Sequence, residues 1–409
     1  MSSDEAIAVL AFGLSDNPCP SLKAASVPLD HTRDEFPILE RVNYLNTASI
    51  GLVPKTVASQ VAEFEQELAL GGTVGFDEDT ELRCLESARE AGAQLLGADA
   101  GNIAIVSSFT EALCQVAWWL RPGPGSNVVS TDVDFPSVTY PWFRLAEEIG
   151  CDVRLVPVLS DPVGFDLELL ARYVDSETRV ISISHVQYLT GHRLDLEALA
   201  DLAHNHGALV VLDATQSAGQ VPIDVSSVDI DVVISGSYKW LCSTFGAAIC
   251  YLAPSVVDRF NPPFVGWRST VEPYELDAHF QPLARSARKM EYSTMSYASA
   301  FALGLSVRYM LDLGPAPVLE HNAALADRLM AGLDERGATV LTPRQPERRA
   351  GIVTARFEGR DGEEVAQQLN KRGVIVSPRV GSTRFSLHHY NNEADVDGAL
   401  YKLDEILSR

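Results

Sequence analysis

Lys239 and Asp213 are the residues whose types and placement best suit covalent chemistry. Lys239 comes shortly after the apolar run 231–235, and Asp213 closes the apolar run 208–212. A lysine amine can form an imine with an aldehyde, and a carboxylate can hold a proton on a ring nitrogen. The pair therefore predicts a lysine that binds an aromatic aldehyde covalently. It also predicts that the carboxyl forms an ion pair with the ring nitrogen, which lowers the pKa of the carboxyl.

Seven short apolar runs must position these residues. They alternate with amphipathic stretches, a pattern typical of an α/β domain with a mostly parallel sheet. The runs are 102–107, 127–131, 153–159, 179–184, 208–212, 231–235 and 247–252. Ligands bind at the carboxyl ends of parallel strands. The polar residues at or just past such ends are Thr110, Asp134, His185, Asp213 and Ser237.

The chain length predicts two lobes, because 409 residues exceed what one compact core usually holds. After about residue 290 the pattern changes to a long helical stretch, 296–313, followed by strand patterns at 351–357 and 374–376. We therefore expect an N-terminal extension at 1–40, a large cofactor-binding domain at 41–285 and a small C-terminal α+β domain at 286–409.

Composition narrows the classes of partner. The 55 acidic and 32 basic residues give a net charge of -23, which argues against nucleic acid and anionic membrane surfaces as partners. No apolar stretch is long enough to span a membrane. The six cysteines show no CxxC pair and no metal-ligand spacing, so we predict a cytoplasmic protein without a metal.

The strand order and the Asp213, Gln216 and Lys239 pattern together resemble a known family. They are similar to fold-type I enzymes dependent on pyridoxal 5'-phosphate, in the class V aminotransferase group. That group includes cysteine desulfurases, kynureninases, isopenicillin N epimerase-like proteins, C–S lyases and lincosamide-type sulfur-processing enzymes. The resemblance runs from Tyr44 to the C-terminus. It implies a seven-stranded, mostly parallel sheet with helices on both faces, and a smaller α+β C-terminal lobe.

The resemblance implies a role for each site residue. Lys239 is the catalytic residue, which forms the Schiff base and then acts as general base. The phosphate contacts implied are Phe109, Thr110, Ser237, Tyr238, Trp267 and, from the neighbouring subunit, Thr294. The ring contacts implied are Phe135 by stacking, Asp213 at the ring nitrogen, Gln216 at the phenolic oxygen and His185 near the site. A structural histidine explains His185 equally well, and a core tryptophan explains Trp267.

The resemblance also implies the substrate and the assembly. Arg384 clamps the α-carboxylate with two hydrogen bonds, and Asn46 contacts the same group. The substrate is then an amino acid with a free α-amino group and a free α-carboxylate. If Thr294 reaches the cofactor phosphate of a second chain, the active site is shared within a homodimer.

The reaction is narrowed by what the sequence lacks. Desulfurases deliver a nucleophilic cysteine on a loop before the arginine clamp, but no cysteine follows Cys250 and the interval 373–384 is too short for that loop. We therefore exclude persulfide transfer. The leading hypothesis is a C–S β-lyase that converts a cysteine S-conjugate to a thiol, pyruvate and ammonia, in thiol or natural-product metabolism such as antibiotic biosynthesis. Decarboxylation-coupled oxidative deamination, transamination and epimerisation stay open, as does a non-catalytic binding protein of the same fold.

Overall fold

The computed structural model describes residues 29, 32–160, 165–279 and 281–408. Most of the N-terminal extension expected at 1–40 lies outside these ranges, including Cys19. The described strands are β1 (Asn43–Tyr44), β2 (Ile103–Val106), β3 (Asn127–Thr131), β4 (Asp152–Val156), β5 (Thr178–Ser184), β6 (Leu209–Asp213), β7 (Val232–Gly236), β8 (Ala248–Leu252), β9 (Thr339–Val340), β10 (Ile352–Arg356), β11 (Val374–Ile375), β12 (Ser377–Arg379) and β13 (Ser382–Ser386). The described helices are α1 (Lys55–Gly71), α2 (Glu78–Leu96), α3 (Phe109–Leu120), α4 (Pro136–Ile149), α5 (Leu167–Ala171), α6 (Leu196–His204), α7 (Pro254–Arg259), α8 (Tyr297–Leu313), α9 (Pro315–Glu335), α10 (Gly362–Asn370) and α11 (Glu393–Leu407).

The large sheet has seven strands in the order β2-β8-β7-β6-β5-β3-β4. All neighbours pair in parallel except β8, which runs antiparallel to both β2 and β7. Every residue of β2, β3, β7 and β8 is buried, as expected for a sheet covered on both faces. The predicted mostly parallel seven-stranded sheet is confirmed. β4 ends before the predicted run does, because Pro157 has no backbone N–H to continue the ladder.

A second sheet lies in the C-terminal part of the chain. Its four strands are antiparallel in the order β12-β13-β10-β9, and its core includes apolar residues of α9, α10 and α11. Near the N-terminus, β1 pairs in parallel with β11, and Leu45 packs in this same core.

The long helix α8 packs in the core of the large sheet through Tyr297, Leu303 and Val307. The chain thus crosses between the two cores more than once, and the domain limits at 41–285 and 286–409 stay a prediction. No helix of the described ranges is both long and apolar enough to cross a membrane.

Candidate active site

Lys239 lies in the loop that follows β7, and two glycines hold that loop in place. The Gly51 N–H donates to the Tyr238 carbonyl over 2.8 Å. A Cβ on Gly51 would lie 1.8 Å from the carbonyl oxygen of Lys239, so only glycine allows this approach. A Cβ on Gly219, at φ +97°, would lie 2.3 Å from the carbonyl oxygen of Trp240. The lysine backbone is therefore fixed from two sides.

The Lys239 amine is buried, with 9% of the residue exposed. Burial lowers its pKa to about 8; the negative charge of Asp213 opposes this shift, and Arg384 and Arg379 add to it. Its Nζ lies 5.6 Å from the centre of the Phe135 ring and 5.7 Å from that of Tyr238. A large fraction of the amine is therefore neutral near pH 8, which is the nucleophilic and basic form.

Asp213 is the last residue of β6 and is also buried. Its Oδ1 accepts a hydrogen bond from the Thr215 N–H over 2.8 Å. Burial raises the pKa of this carboxyl, and Thr215 and Lys239 only partly oppose the shift. The lowering expected from the sequence requires the positive charge of a bound ring nitrogen, which the chain itself does not supply.

A cavity of about 230 Å³ opens at the carboxyl ends of the parallel strands. It brings together seven of the predicted residues: Phe109, Thr110, Phe135, Asp213, Gln216, Tyr238 and Lys239. On one side lies the first turn of α3, where the Ser108 hydroxyl caps the helix by accepting from the Glu111 N–H. The Thr110 hydroxyl donates to Ser137 over 3.0 Å at the same place. A helix N-terminus with hydroxyls suits a phosphate.

Phe135 precedes α4 and is 44% exposed, with its ring edge-on to Tyr188 at 5.7 Å. The preceding residue, Asp134, is buried and holds the backbone next to Phe135 in place. Its carboxylate accepts from the Thr131 hydroxyl over 2.6 Å and from the Ser184 N–H over 2.9 Å, which joins the ends of β3 and β5. The exposed face of Phe135 is thus available for stacking on a planar ring.

Gln216 reaches the cavity with its amide already engaged. Its Nε2 donates to the Ala48 carbonyl over 3.0 Å, and its Oε1 accepts from the Trp240 indole over 2.7 Å. An amide nitrogen carries two hydrogens. One remains for the phenolic oxygen predicted as its partner.

Six predicted residues do not line this cavity, and three of them are Ser237, Trp267 and Thr294. The buried Ser237 hydroxyl donates to the Thr244 carbonyl over 2.5 Å, so its hydrogen is not available to a phosphate in this arrangement. Trp267 packs edge-on against Tyr274, with the Arg268 guanidinium over its ring. Thr294 is exposed on the surface, and its role across a dimer stays a prediction.

His185 lines a separate groove of about 810 Å³, which His192 also lines. Burial lowers the pKa of His185 to about 3, so the imidazole is neutral. Its backbone joins β5 to the end of β6 through a hydrogen bond to the Asp213 carbonyl. This placement matches a structural histidine, the alternative that the sequence left open.

Arg384 is fully buried in β13. Its Nη1 donates to the Tyr188 carbonyl over 2.8 Å and its Nη2 to the Ser49 hydroxyl over 2.8 Å, while Nε has no partner. Burial lowers the pKa of Arg384 to about 9, with Arg379 as a further cause. A buried guanidinium with an unpaired donor and no carboxylate partner among the described residues is suited to binding an anion.

Asn46 is linked to Arg384 by hydrogen bonds through Ser377 and Ser49. Its Oδ1 accepts from the Ser377 hydroxyl over 2.8 Å, and the Ser377 and Ser49 hydroxyls lie 2.9 Å apart. Sequence reasoning missed Ser49, which bonds both Arg384 and Arg379. It also missed Phe245, which lines the cavity beside Tyr238 at 4.8 Å between ring centres. No sequence motif marks Ser49 or Phe245, because the contacts of each residue with the site depend on how the chain folds.

Comparison with known proteins agrees with this geometry. The family model Aminotransferase class-V matches residues 43–398, most of the chain. The chain belongs to the aminotransferase class-V family. Membership gives pyridoxal 5'-phosphate as the cofactor and fold-type I as the architecture, as predicted. The matched range includes Lys239 and Asp213, whose roles at the cofactor stay predictions.

The class-V relatives differ in their stated activities. An uncharacterized aminotransferase YcbU from Bacillus subtilis is 28% identical, covering 92% of this chain and 97% of that protein. Isopenicillin N epimerase from Streptomyces clavuligerus is 28% identical, covering 88% and 94%. Other relatives are named cysteine desulfurases. A solved complex of the cystine C–S lyase C-DES with cysteine persulfide shares the fold, at a TM-score of 0.84 and 22% identity over 90% of this chain and 98% of that one.

The cavity fits the class-V cofactor. Pyridoxal 5'-phosphate presents an aldehyde, a ring nitrogen and a phosphate. The cavity presents a buried amine at Lys239, a buried carboxyl at Asp213 and the hydroxyl-bearing start of α3 around Thr110. Each group of the cofactor thus has a chemically matched residue.

Proposed function

We propose that this protein is a C–S β-lyase that acts on a cysteine S-conjugate and forms a thiol, pyruvate and ammonia, in thiol or natural-product metabolism. The observation that carries the proposal is the buried, anion-free clamp at Arg384, held beside Lys239 by Ser49 and Tyr188. The substrate is then an amino acid with a free α-carboxylate.

The clamp orients the substrate. Arg384 has an unpaired Nε and two Nη atoms that bond only neutral oxygens, so an arriving carboxylate gains charge-assisted hydrogen bonds. Asn46 and Ser49 lie against the same position. Fixing the carboxylate sets which bond at the α-carbon faces Lys239.

Lys239 moves the proton. Pyridoxal 5'-phosphate, when bound, supplies an electron sink that stabilises negative charge at the substrate α-carbon. The Lys239 amine, whose pKa is about 8, takes the α-proton as general base. The electron pair left at the α-carbon forms a double bond to the β-carbon. The C–S bond breaks at the same time, and its electrons leave with the sulfur as a thiolate. The released enamine reacts with water to give pyruvate and ammonia.

The turn before the clamp favours a lyase over a persulfide-forming enzyme. β12 and β13 are joined only by Val380 and Gly381. The last cysteine of the chain, Cys250, is buried in β8, where burial raises the pKa of its thiol. A buried, protonated thiol is a poor nucleophile, so Cys250 is not suited to carry a persulfide.

Epimerisation is the second candidate, because a relative that covers most of the chain is an isopenicillin N epimerase. It requires a proton donor on the face of the substrate opposite Lys239. The assay below separates it from elimination by the product.

The test uses purified holoenzyme with a panel of S-substituted L-cysteines. Pyruvate is measured by coupling to lactate dehydrogenase, and the remaining amino acid is analysed on a chiral column. We expect pyruvate and thiol in equal amounts, abolished in Lys239→Ala and retained in the exposed control Lys371→Ala. Recovery of D-amino acid without pyruvate would assign epimerisation. Keto acid or CO₂ formation would point to transamination or oxidative deamination, and no turnover of any amino acid would favour a binding protein.

We also propose that the active enzyme is a homodimer with shared sites. Phe264 and Val265 are about half exposed and directly precede the segment of Trp267. Phe264 packs on Tyr292, 6.1 Å between ring centres, two residues before Thr294. These contacts put an apolar surface next to Trp267 and Thr294, two of the predicted residues that do not line the cavity of one chain. We propose that a second copy of the chain covers this surface, which would bring Thr294 and Trp267 to the cofactor of the neighbouring chain.

A further inference from the structure

Three metal-ligating side chains meet outside the cofactor cavity. Cys242 lies three residues after Lys239, and His388 and His389 follow β13. All three are buried, with 0%, 0% and 1% of their surface exposed. One potential ligand atom from each lies within 4.8 Å of the other two. One sulfur and two imidazoles thus face one another in the interior.

The hydrogen bonds of the two imidazoles leave one nitrogen of each free. His388 Nε2 lies 3.1 Å from the Trp240 carbonyl, and His389 Nε2 lies 3.1 Å from the Tyr309 hydroxyl. Because a carbonyl only accepts, Nε2 of His388 carries the hydrogen and Nδ1 carries the lone pair. Both Nδ1 atoms are buried without a hydrogen-bond partner.

This arrangement is the one that metal-binding histidines use. Such a histidine donates its second ring N–H to a carbonyl, a carboxylate or another polar group, which orients the ring and fixes the tautomer. Two unpaired buried nitrogens are otherwise costly to a folded protein.

The backbone of Cys242 is held in an unusual conformation. Its φ of +53° is rare for a residue other than glycine. The conformation is maintained by a hydrogen bond from its N–H to the Lys239 carbonyl and by one from Ser306 to its own carbonyl, 3.1 Å each. Strained backbone of this kind is typical of functional sites, and here it places the thiol near the two imidazoles.

We propose that Cys242, His388 and His389 bind a soft transition-metal ion through one thiolate and two imidazole nitrogens. Zn²⁺ and Cu⁺ share this ligand preference. Metal bonds of about 2.0 Å to nitrogen and about 2.3 Å to sulfur place ligand atoms about 3.6–3.8 Å apart. Side-chain shifts of about an ångström therefore close the site from the arrangement described.

The position of this metal site indicates a structural role for the bound ion. Phe36, Met310 and Tyr390 surround Cys242 in one apolar cluster, so water and substrate are kept away. The three ligands join the Lys239 loop to the segment after β13, and the bond from His389 to Tyr309 extends the link to α8. A bound ion fastens the loop of the catalytic lysine to the C-terminal sheet that carries Arg384. The sequence predicted no metal because the ligands are far apart along the chain.

The test measures metal in untagged holoenzyme purified in chelator-treated buffer. Elemental analysis by mass spectrometry is expected to find one ion per chain, and its identity distinguishes zinc from copper. X-ray absorption at that element's edge is expected to show one sulfur and imidazole nitrogens in the coordination shell. Protein that is metal-free, both as purified and after incubation with Zn²⁺ or Cu⁺ under reductant, would overturn the proposal.

Two cysteine variants test the ligand assignment. Cys242→Ala is expected to lose the ion, whereas Cys250→Ala, equally buried but in β8, is expected to keep it. If Cys242→Ala retains a full equivalent, the ion is bound elsewhere and the proposal fails. If Cys242→Ala does not fold, the coordination shell of the parent protein decides by itself, because a shell without sulfur is incompatible with the site.

Discussion

The chemistry of the site depends on charges that are buried without full compensation. Lys239, Arg384 and Arg379 interact with one another in the interior, and Asp213 is the anion that opposes their mutual repulsion at Lys239. Burial and repulsion lower the pKa of both Lys239 and Arg384. A substrate carboxylate relieves this imbalance, so the empty site is electrostatically prepared for an amino acid.

The pH dependence of cofactor attachment follows from the Lys239 pKa of about 8. The neutral amine is the form that attacks an aldehyde, so the attachment rate of the cofactor-free protein should rise with pH through about 8 and then level off. Arg379→Gln removes a nearby positive charge, which raises the lysine pKa and moves the inflection to higher pH. Stopped-flow absorbance at each pH measures the rate.

The control for this experiment is Arg144→Gln, an exposed arginine on α4. It should leave the inflection where the parent protein has it. An inflection in Arg379→Gln that stays in place or moves to lower pH would contradict the assigned electrostatic coupling.

At the scale of elements, the segment 43–51 connects the two sheets to the catalytic loop. β1 pairs with β11, Asn46 bridges to Ser386 in β13, and Gly51 then bonds the Tyr238 carbonyl. One segment, with a turn at 47–49, therefore contacts the small sheet, the carboxylate clamp and the lysine loop in succession. Its position explains how Arg384 and Lys239, from different sheets, are kept in register.

Gly51→Ala tests this connection. The new Cβ would lie 1.8 Å from the Lys239 carbonyl oxygen, and backbone cannot yield as a flexible side chain can. We expect a loss of stability of about 3 kcal/mol or more and weaker cofactor binding. Thermal unfolding and cofactor titration measure the two effects.

Gly71→Ala is the matched control, because it ends α1 and its added Cβ meets nothing within 4 Å. It should be neutral or stabilise by about 0.5–1 kcal/mol, the usual gain of alanine over glycine in a helix. Equal behaviour of the two variants would show that the close approach at Gly51 does not hold the lysine loop.

At the scale of the whole molecule, exposed apolar groups lie beside the cofactor cavity. Phe245 lines the cavity and is 59% exposed, and Phe264 is 49% exposed next to Tyr292. Tyr292 is in turn close to Glu111 of α3, whose charge raises the pKa of the phenol. Tyr292 thus links Phe264 to the first turn of α3, which suits the phosphate, and we propose that a second chain completes the site there.

Phe264→Glu is expected to disrupt the proposed homodimer, because a charge buried in an apolar interface is costly. Light scattering coupled to size-exclusion chromatography should show a monomer with much reduced activity. Tyr401→Glu, at an exposed position of α11, should leave both mass and activity unchanged. A parent protein that is monomeric and fully active would refute the shared site.

Local pattern was sufficient to predict the sheet and the central pair of residues. Apolar runs reveal buried strands wherever they lie in the chain, and a polar residue at the end of such a run points to the ligand-binding edge. Lys239, Asp213 and Thr110 were found in this way and Phe135 through the family resemblance, and the structure places all four around one cavity. The family and its cofactor followed from that pattern.

The partners of Arg384 in the carboxylate clamp, the orientation of individual polar groups and the metal-ligand cluster depended on the tertiary structure. Ser49 meets Arg384, and Cys242 meets His388, only because distant segments converge. Ser237 and His185 stand at the predicted strand ends, yet their side chains bond or pack away from the cavity. Sequence spacing gives the position of a residue along an element, whereas the direction and partner of its side chain are set by packing with segments remote in the chain.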